Sequence, residues 1–293
     1  MRSEAMRLVS TKRFRTAMTA DIKPRRSPVG IELVRRLSSE GDRIFTTDRA
    51  RELAPLVGLK DSYVCEALQR LGRDGWIVPL RRGLYAMSSA VPGSTFVHEF
   101  EVAMALAHPA AISHWSALHL HGLTEQVPRA VFVLTTTESS VPRTRGEGVD
   151  QGSGWSVVGD TAYRFIQVQP KRFFGVERVW VGDARVTVTD RERTLLDGLS
   201  MPRHCGGFAE VLHAFDVALP DLDIDRITGY ALQLDAATAK RLGWVLERLG
   251  VESLPLEELP IKGYRKLDPS GPDSGPHNGR WMVRENLPGL VGA

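Results

Sequence analysis

The sequence lacks most features of a secreted or membrane protein. Two cysteines in 293 residues, Cys65 and Cys205, are too few for a disulfide framework and indicate a reducing compartment. The longest apolar runs, residues 102–107 and 130–134, are far shorter than the roughly 20 residues that span a bilayer. Residues 1–26 contain no apolar stretch of the kind found in a secretory signal. We therefore expect a cytoplasmic protein without a membrane partner.

A large excess of charge is also missing overall, since the net charge is only +3, but the charge is unevenly distributed. Residues 1–27 contain eight Lys or Arg against two Asp or Glu, whereas residues 28–90 contain ten against eight. Residues 91–293 carry an excess of acids. The basic N-terminal part indicates a polyanion partner, and the acidic remainder of the chain indicates a different partner. We predict three parts: a flexible basic arm over 1–27 and two domains, over 28–90 and 91–293.

The pattern of residues 28–90 predicts two helices, a turn, a third helix and a pair of strands. These elements are expected at residues 29–39, 48–57, within 61–74, 76–78 and 84–86. Thr47 is predicted to cap the second helix, and Asp61 or Ser62 the third. Gly83 allows a tight turn between the two strands. This order of elements is that of a winged helix-turn-helix, in which the two strands form the wing.

The third predicted helix has one apolar and one polar face. Val64, Ala67, Leu68 and Leu71 fall on one side of a helical wheel, and the opposite side is polar. Arg can bond guanine O6 and N7, and Gln can bond adenine N6 and N7, in the major groove. We predict contacts to double-stranded DNA from residues of this helix, of the turn before it and of the wing tip: Lys60, Ser62, Tyr63, Gln69, Arg70, Arg73, Arg81 and Arg82.

Two simpler interpretations of this face stay open. The polar face of an amphipathic helix is often only solvated, and Glu66 and Asp74 reduce the positive charge here. A winged helix can also serve as a protein-interaction module. If the DNA interpretation is right, base readout rests on the third helix, and the salt-sensitive part of the affinity rests on the arm and the wing.

Residues 91–293 predict a mixed α/β domain, so the fold class of the whole chain is α+β. Helices are expected at residues 97–106, 114–121, 190–199, 208–219, 224–234 and 236–249. Strands are expected at residues 131–136, 163–168, 176–181 and 185–188, with a last strand at 281–284. Residues 138–154 are polar and rich in glycine, which is typical of a loop.

This second domain shows little sign of catalysis. The sequence has no glycine-rich loop ending in Gly-Lys-Ser/Thr. The histidines of residues 114–121 are poorly spaced for one metal ion and favour core or helix-end positions. The acids of residues 190–197 resemble a nuclease cluster but are explained more simply as a capped helix start, since no lysine follows at the spacing of a metal-nuclease motif. Cys205 has no evident base beside it. We predict no catalytic residue, no metal and no cofactor.

Three stretches of the chain together resemble a known family. They are residues 113–119 (SHWSALH) followed by GLTEQVP, residues 190–197 (DRERTLLD) followed by Cys205-Gly206-Gly207, and residues 267–269 (LDP) followed by Asn278-Gly279-Arg280-Trp281. With the winged helix before them, they resemble the AbiEi-like antitoxins and transcriptional regulators of type IV abortive-infection systems. The resemblance covers roughly residues 30–285, and the basic arm before it is longer than the family pattern needs.

The resemblance implies a repressor that is also an antitoxin. The winged helix would bind inverted repeats in its own promoter, and the C-terminal domain would counteract a nucleotidyltransferase-like toxin, without needing a stable complex. Among the matched residues, Arg191 and Arg193 are expected to be exposed and are candidates for the antitoxin surface. Two alternatives are a repressor that senses a small ligand and a DNA-tethered enzyme, either a nuclease or a toxin-modifying enzyme.

Overall fold

The computed structural model describes residues 28–89, 91, 97–136 and 155–287. The predicted basic arm and the predicted loop over 138–154 lie outside the described residues. The chain divides into two compact units. The first contains the described parts of residues 1–110, 137–166 and 179–186, and the second those of residues 111–136, 167–178 and 187–293. The predicted domain boundary at residue 90 stays a prediction.

The first unit begins with four helices and three strands. They are α1 (Pro28–Ser39), β1 (Ile44–Thr46), α2 (Thr47–Leu53), α3 (Val64–Arg73), β2 (Ile77–Arg81), β3 (Leu84–Met87) and α4 (Glu99–Leu106). Two 3-10 helices, Ala54–Val57 and Asp61–Tyr63, connect α2 to α3. The strands form an antiparallel sheet in the order β1-β3-β2, with Phe45 opposite Tyr85 and Val78 opposite Ala86.

A compact core holds these elements together. Leu33 and Leu37 of α1 are fully buried with Val64 and Leu68 of α3 and Phe45 of β1. Burying an aliphatic or aromatic side chain of this size stabilises a fold by roughly 1.5–3 kcal/mol. The core therefore fixes α3 against α1 and leaves its other face free for contacts.

Two helix caps differ from the sequence prediction. Thr46, not Thr47, caps α2, because its backbone is extended and its hydroxyl accepts the N–H of Arg49 at 3.1 Å. Neither Asp61 nor Ser62 caps α3: both lie in the preceding 3-10 helix, and Tyr63 occupies the cap position without a side-chain bond.

The rest of the chain confirms a mixed α+β fold. Its strands are β4 (Ala110–Ile112), β5 (Ala130–Thr135), β6 (Trp155–Val158), β7 (Thr161–Gln167), β8 (Val176–Val181), β9 (Ala184–Thr189), β10 (Arg265–Lys266), β11 (His277–Asn278) and β12 (Val283–Arg284). Its helices are α5 (His114–Leu120), α6 (Arg191–Ser200), α7 (Phe208–Ala218), α8 (Ile224–Leu234), α9 (Ala236–Arg248) and α10 (Leu254–Glu258). Strands β4 to β9 form one sheet in the order β6-β7-β5-β4-β9-β8.

The core of the second unit is largely helical. Leu195, Phe215 and Leu246, from α6, α7 and α9, are completely buried together with Trp281 and Val283 from the end of the described chain. The last strands therefore complete a helical core rather than form a separate element. Within the described residues, no helix has the length and apolar character needed to cross a membrane.

Candidate nucleic-acid interface

The start of α3 is set by the turn that precedes it. Gly58 adopts φ 74°, and its N–H donates to the carbonyls of Ala54 and Pro55. Leu59 donates its N–H to the carbonyl of Ala54 at 2.9 Å. A positive φ is easy for glycine and strained for other residues, so Gly58 allows the chain to turn sharply from α2 into α3.

The two faces of α3 agree with the helical wheel. Val64, Leu68 and Leu71 are at most 4% exposed. The side chains predicted to read bases lie on the exposed part of the same segment: Lys60, Ser62, Tyr63, Gln69, Arg70 and Arg73. Six of the eight predicted DNA contacts are thus exposed on α3 and the turn before it, and these side chains together are called the α3 surface.

Arg70 on this surface is paired with an acid. The guanidinium of Arg70 lies 3.1 Å from the carboxylate of Glu66, one helical turn away, and both side chains are about half exposed. Such an exposed pair contributes only roughly 0.3–0.5 kcal/mol. A phosphate or a base edge can therefore replace Glu66 as the partner of the Arg70 guanidinium at a small cost in free energy.

Arg51 is a candidate contact that the sequence prediction missed. It is exposed on α2 and forms ion pairs with Asp48 at 3.2 Å and Asp61 at 3.3 Å, and it lies 3.8 Å from the sulfur of Cys65. It therefore sits beside the start of α3. The spacing of Asp48 and Arg51 predicts a pair within α2, but the approach to Asp61 and Cys65 depends on tertiary structure.

The two wing arginines differ in their surroundings. Arg81 ends β2, is half-buried, and has a buried Nε with no hydrogen-bond partner among the described residues. Arg82 is exposed and shares the turn with Gly83, which adopts φ 77°. The carbonyl of Gly83 accepts the N–H of Thr47 at 2.9 Å, which ties the turn to the start of α2. Arg82 is thus the better placed of the two for an external contact.

A small cavity of about 220 Å³ lies beside α3, and its lining includes Tyr63 and Arg70, two of the predicted DNA contacts. Ile31, Leu59, Leu71 and Trp76 form its apolar lining, and polar groups including Glu66 stand in its wall. Pockets for small-molecule ligands usually measure about 300–1,000 Å³. This cavity is below that range, so it gives little support to ligand sensing at this place.

The prediction that Arg193 is exposed is wrong. Its side chain is 2% exposed and pairs with Asp197 at 2.9 Å. It also donates to the carbonyls of Arg172 and Phe174, at 2.8 and 3.1 Å, and stacks on the ring of Phe174. Burial raises the pKa of Asp197, while the charge of Arg193 opposes that change. Arg193 thus stabilises the second unit from inside.

Arg191 and the acids near it also have structural partners. Arg191 is half-buried and lies 3.4 Å from the carboxylate of Asp221. Asp190 caps α6 by accepting the N–H of Arg193 at 2.8 Å, and it also accepts the hydroxyl of Tyr230 at 3.0 Å. These contacts agree with the interpretation of residues 190–197 as the capped start of a helix.

Cys205, His114 and His121 of the second unit are buried or held by local hydrogen bonds. Burial raises the pKa of the Cys205 thiol well above its usual value. Burial also lowers the pKa of His114 to about 3, and its Nδ1 lies 2.9 Å from the hydroxyl of Ser113. His121 makes a 2.7 Å hydrogen bond with the carbonyl of Thr189. In the part of the chain that the structure describes, no group of three or more potential ligands is placed to hold a metal ion.

Comparison with known proteins relates this chain to a solved structure. The crystal structure of the RV2827C protein from Mycobacterium tuberculosis matches with a TM-score of 0.65 over 89% of this chain and 93% of that one, at 14% sequence identity. At this identity the similarity concerns the fold. No family model and no curated protein matches the sequence.

Proposed function

We propose that residues 28–87 are a winged helix-turn-helix that binds double-stranded DNA. The observation that carries the proposal is α3, whose apolar face is buried against α1 while its other face presents Gln69, Arg70 and Arg73 to solvent. A helix presented in this way fits the major groove. The exposed Arg82, in a turn bonded to α2, supports a phosphate or minor-groove contact by the wing.

The proposed biological role is that of a transcriptional autorepressor and antitoxin of a type IV system. It rests on the sequence resemblance to the AbiEi-like family over residues 113–128, 190–207 and 267–281. On this proposal, the DNA-binding residues repress the protein's own promoter at inverted repeats. The rest of the chain counteracts a nucleotidyltransferase-like toxin through a surface that does not include Arg193.

DNA binding is tested with the full chain, a fragment of its own promoter and random DNA of equal length. Arg70→Ala and Arg73→Ala should each weaken promoter binding by roughly 1–3 kcal/mol, the value of a bidentate base contact, and affect random DNA much less. Arg35→Ala on α1 is the matched control, because Arg35 is also exposed and its ion pair with Glu32 also lies within one helix. Equal losses on both DNAs would reduce Arg70 and Arg73 to phosphate contacts.

The antitoxin role predicts a nucleotidyltransferase gene beside this one, and it is tested in cells that express the product of that neighbouring gene. The full chain should restore growth, and so should a variant carrying Arg70→Ala and Arg73→Ala, although it no longer represses a promoter reporter. Growth that fails with both proteins would reject the antitoxin role. Growth restored by the full chain but not by the variant would show that neutralisation depends on DNA binding.

A further inference from the structure

Strand β8 is an outer strand of the six-stranded sheet. Four of its six side chains are exposed: Val176, Glu177, Arg178 and Trp180. Trp180 is 69% exposed, the largest fraction for any large hydrophobic side chain in the described part of the chain. An outer strand presents unpaired N–H and C=O groups that can accept another strand.

The hydrogen bonds around β8 show which of its groups face the open edge. Gly182, at φ 59°, and Asp183 form a two-residue turn into β9. At the other end of the pair, the N–H of Asp190 donates to the carbonyl of Gly175 at 2.9 Å. Odd-numbered positions of this strand therefore bond towards β9. Because main-chain groups alternate along a strand, the N–H and C=O of Arg178 and Trp180 point outward.

We propose that β8 pairs with β8 of a second copy of this chain, antiparallel and centred on Val179. Residues directly opposite each other in an antiparallel pair lie on the same face of the sheet. The two-fold axis that relates two identical strands must therefore pass between the two copies of one residue. An axis between two successive residue positions would place side chains of opposite faces opposite each other. An axis at Arg178 pairs residues 176–180 of the two strands, and an axis at Val179 pairs residues 177–181. An axis at any other residue of β8 pairs fewer residues.

Charge distinguishes the two centres. A centre at Arg178 places two arginines directly opposite each other, which destabilises the pair. A centre at Val179 places Val179 opposite Val179 of the partner subunit and Arg178 opposite Trp180 of the partner subunit. Symmetry forms the second contact twice, and a guanidinium is attracted to the face of an indole. This self-complementary sequence favours a second copy over an extended segment of a different protein.

The centre at Val179 also has a distinctive geometry. Val179 bonds towards β9, so its pair across the new interface is not hydrogen-bonded to the partner strand. The Cα atoms of such pairs are about 4.5 Å apart, the closest approach in an antiparallel sheet. A cysteine at position 179 is therefore well placed for a symmetric disulfide.

The test uses the full chain carrying Cys65→Ser, because Cys65 is an exposed thiol that would add unrelated cross-links. Size-exclusion chromatography with light scattering should show a dimer at high protein concentration. Adding Val179→Cys should give a disulfide-linked dimer under mild oxidation much faster than Arg178→Cys does. Circular dichroism of each variant confirms that it is folded.

Substitutions at the paired side chains complete the test. Trp180→Ala and Arg178→Glu should each raise the dimer dissociation constant at least about tenfold, since each removes two symmetry-related contacts. Leu254→Ala, at another exposed apolar side chain, should not change it. A chain that stays monomeric, faster cross-linking through Arg178→Cys, or protection of the β8 amides from hydrogen exchange only by a different protein would each overturn the proposal. None of these readouts involves DNA, so the result is independent of the proposed DNA binding.

Discussion

Trp281 fills the space that a side chain on Gly243 would occupy. A Cβ atom on Gly243 would lie 2.0 Å from Cζ3 of the indole ring. The ring is 1% exposed, and its Nε1 donates to the carboxylate of Glu247 at 2.6 Å. Both contacts belong to α9, so Trp281 is locked against one side of that helix.

This contact makes Gly243→Ala destabilising. Because Trp281 is hydrogen-bonded and buried, it cannot move away without disturbing the core, and we expect the free energy of unfolding to fall by roughly 1–3 kcal/mol. Urea unfolding measures the loss. Gly229→Ala is the matched control, because Gly229 is exposed within α8 and has no atom within 4 Å of its Cβ position. There alanine should stabilise by up to about 1 kcal/mol. Similar effects at both sites would contradict the role given to Trp281.

The buried pair of Arg193 and Asp197 leads to a second prediction. Arg193→Met leaves the Asp197 carboxyl buried without its partner and should cost roughly 3–5 kcal/mol. Adding Asp197→Leu to that variant should recover much of the loss, because two apolar side chains need no partner. Arg191→Ala, which removes a pair between a half-buried arginine and the exposed Asp221, should change stability by less than about 1 kcal/mol. Thermal and urea unfolding of the four proteins test the prediction, and no recovery in the double variant would contradict it.

His98 gives the stability of the first unit a dependence on pH. Its Nδ1 accepts the N–H of Phe100 at 3.1 Å at the start of α4, and burial, followed by the charge of Arg43, lowers its pKa to about 4. The unfolded chain binds a proton at His98 near pH 6.5, whereas the folded chain does not until about pH 4. Protonation thus favours unfolding as the pH falls between these values, by about 1.4 kcal/mol per pH unit.

His98→Asn should remove this contribution without removing the helix cap, because Asn caps helices well and does not titrate. Urea unfolding between pH 6.5 and pH 4 should then show a shallower loss of stability than the unchanged protein shows. At pH 7.5, where His98 is neutral in both states, the two proteins should differ little. An unchanged slope would mean that His98 protonates in the folded protein at its ordinary pKa. Other buried groups titrate in both proteins, so only the difference between the two curves is interpreted.

Glu66→Gln is predicted to strengthen DNA binding if α3 enters the major groove. The substitution removes a negative charge from the DNA-facing surface and frees Arg70 from its 3.1 Å ion pair. We expect a several-fold higher affinity for the promoter fragment and for random DNA alike, because a negative charge that repels the phosphates is removed. Stability should change by no more than about 0.5 kcal/mol. Fluorescence anisotropy at several salt concentrations measures the change.

Glu32→Gln is the matched control for that experiment. Glu32 is an exposed acid on α1 that also pairs with an arginine, Arg35, in the same helix. It should leave DNA affinity nearly unchanged. Equal effects of the two substitutions would show that only the total charge matters and that α3 has no special position on the DNA.

The sequence is most informative where structure is local. The predicted bounds of α8 and β8 agree with the structure, and the apolar face of α3 is buried as its wheel predicts, because periodicity alone sets these features. The three-residue strand β4 was missed because its identity depends on a partner far along the chain: Ile112 pairs with Val188.

The burial of Arg193 was missed for a similar reason. A long cationic side chain in a polar motif is usually exposed, and Asp197 one turn away would also fit an exposed pair. What buries Arg193 is the approach of two carbonyls from Arg172 and Phe174, about twenty residues earlier in the chain. No pattern within residues 190–197 indicates that approach.

The position of Trp281 in the core also sets an order of events during synthesis. The core around α1 and α3 uses residues 33–91, so this part of the chain can fold while the ribosome is still translating the rest. The core of the second unit includes Trp281 and Val283 and stays incomplete until these residues have been synthesised. A nascent or prematurely terminated chain would then retain the proposed DNA-binding part and lack a finished second unit. If the proposed function is right, such fragments would bind DNA without the antitoxin activity of the full chain.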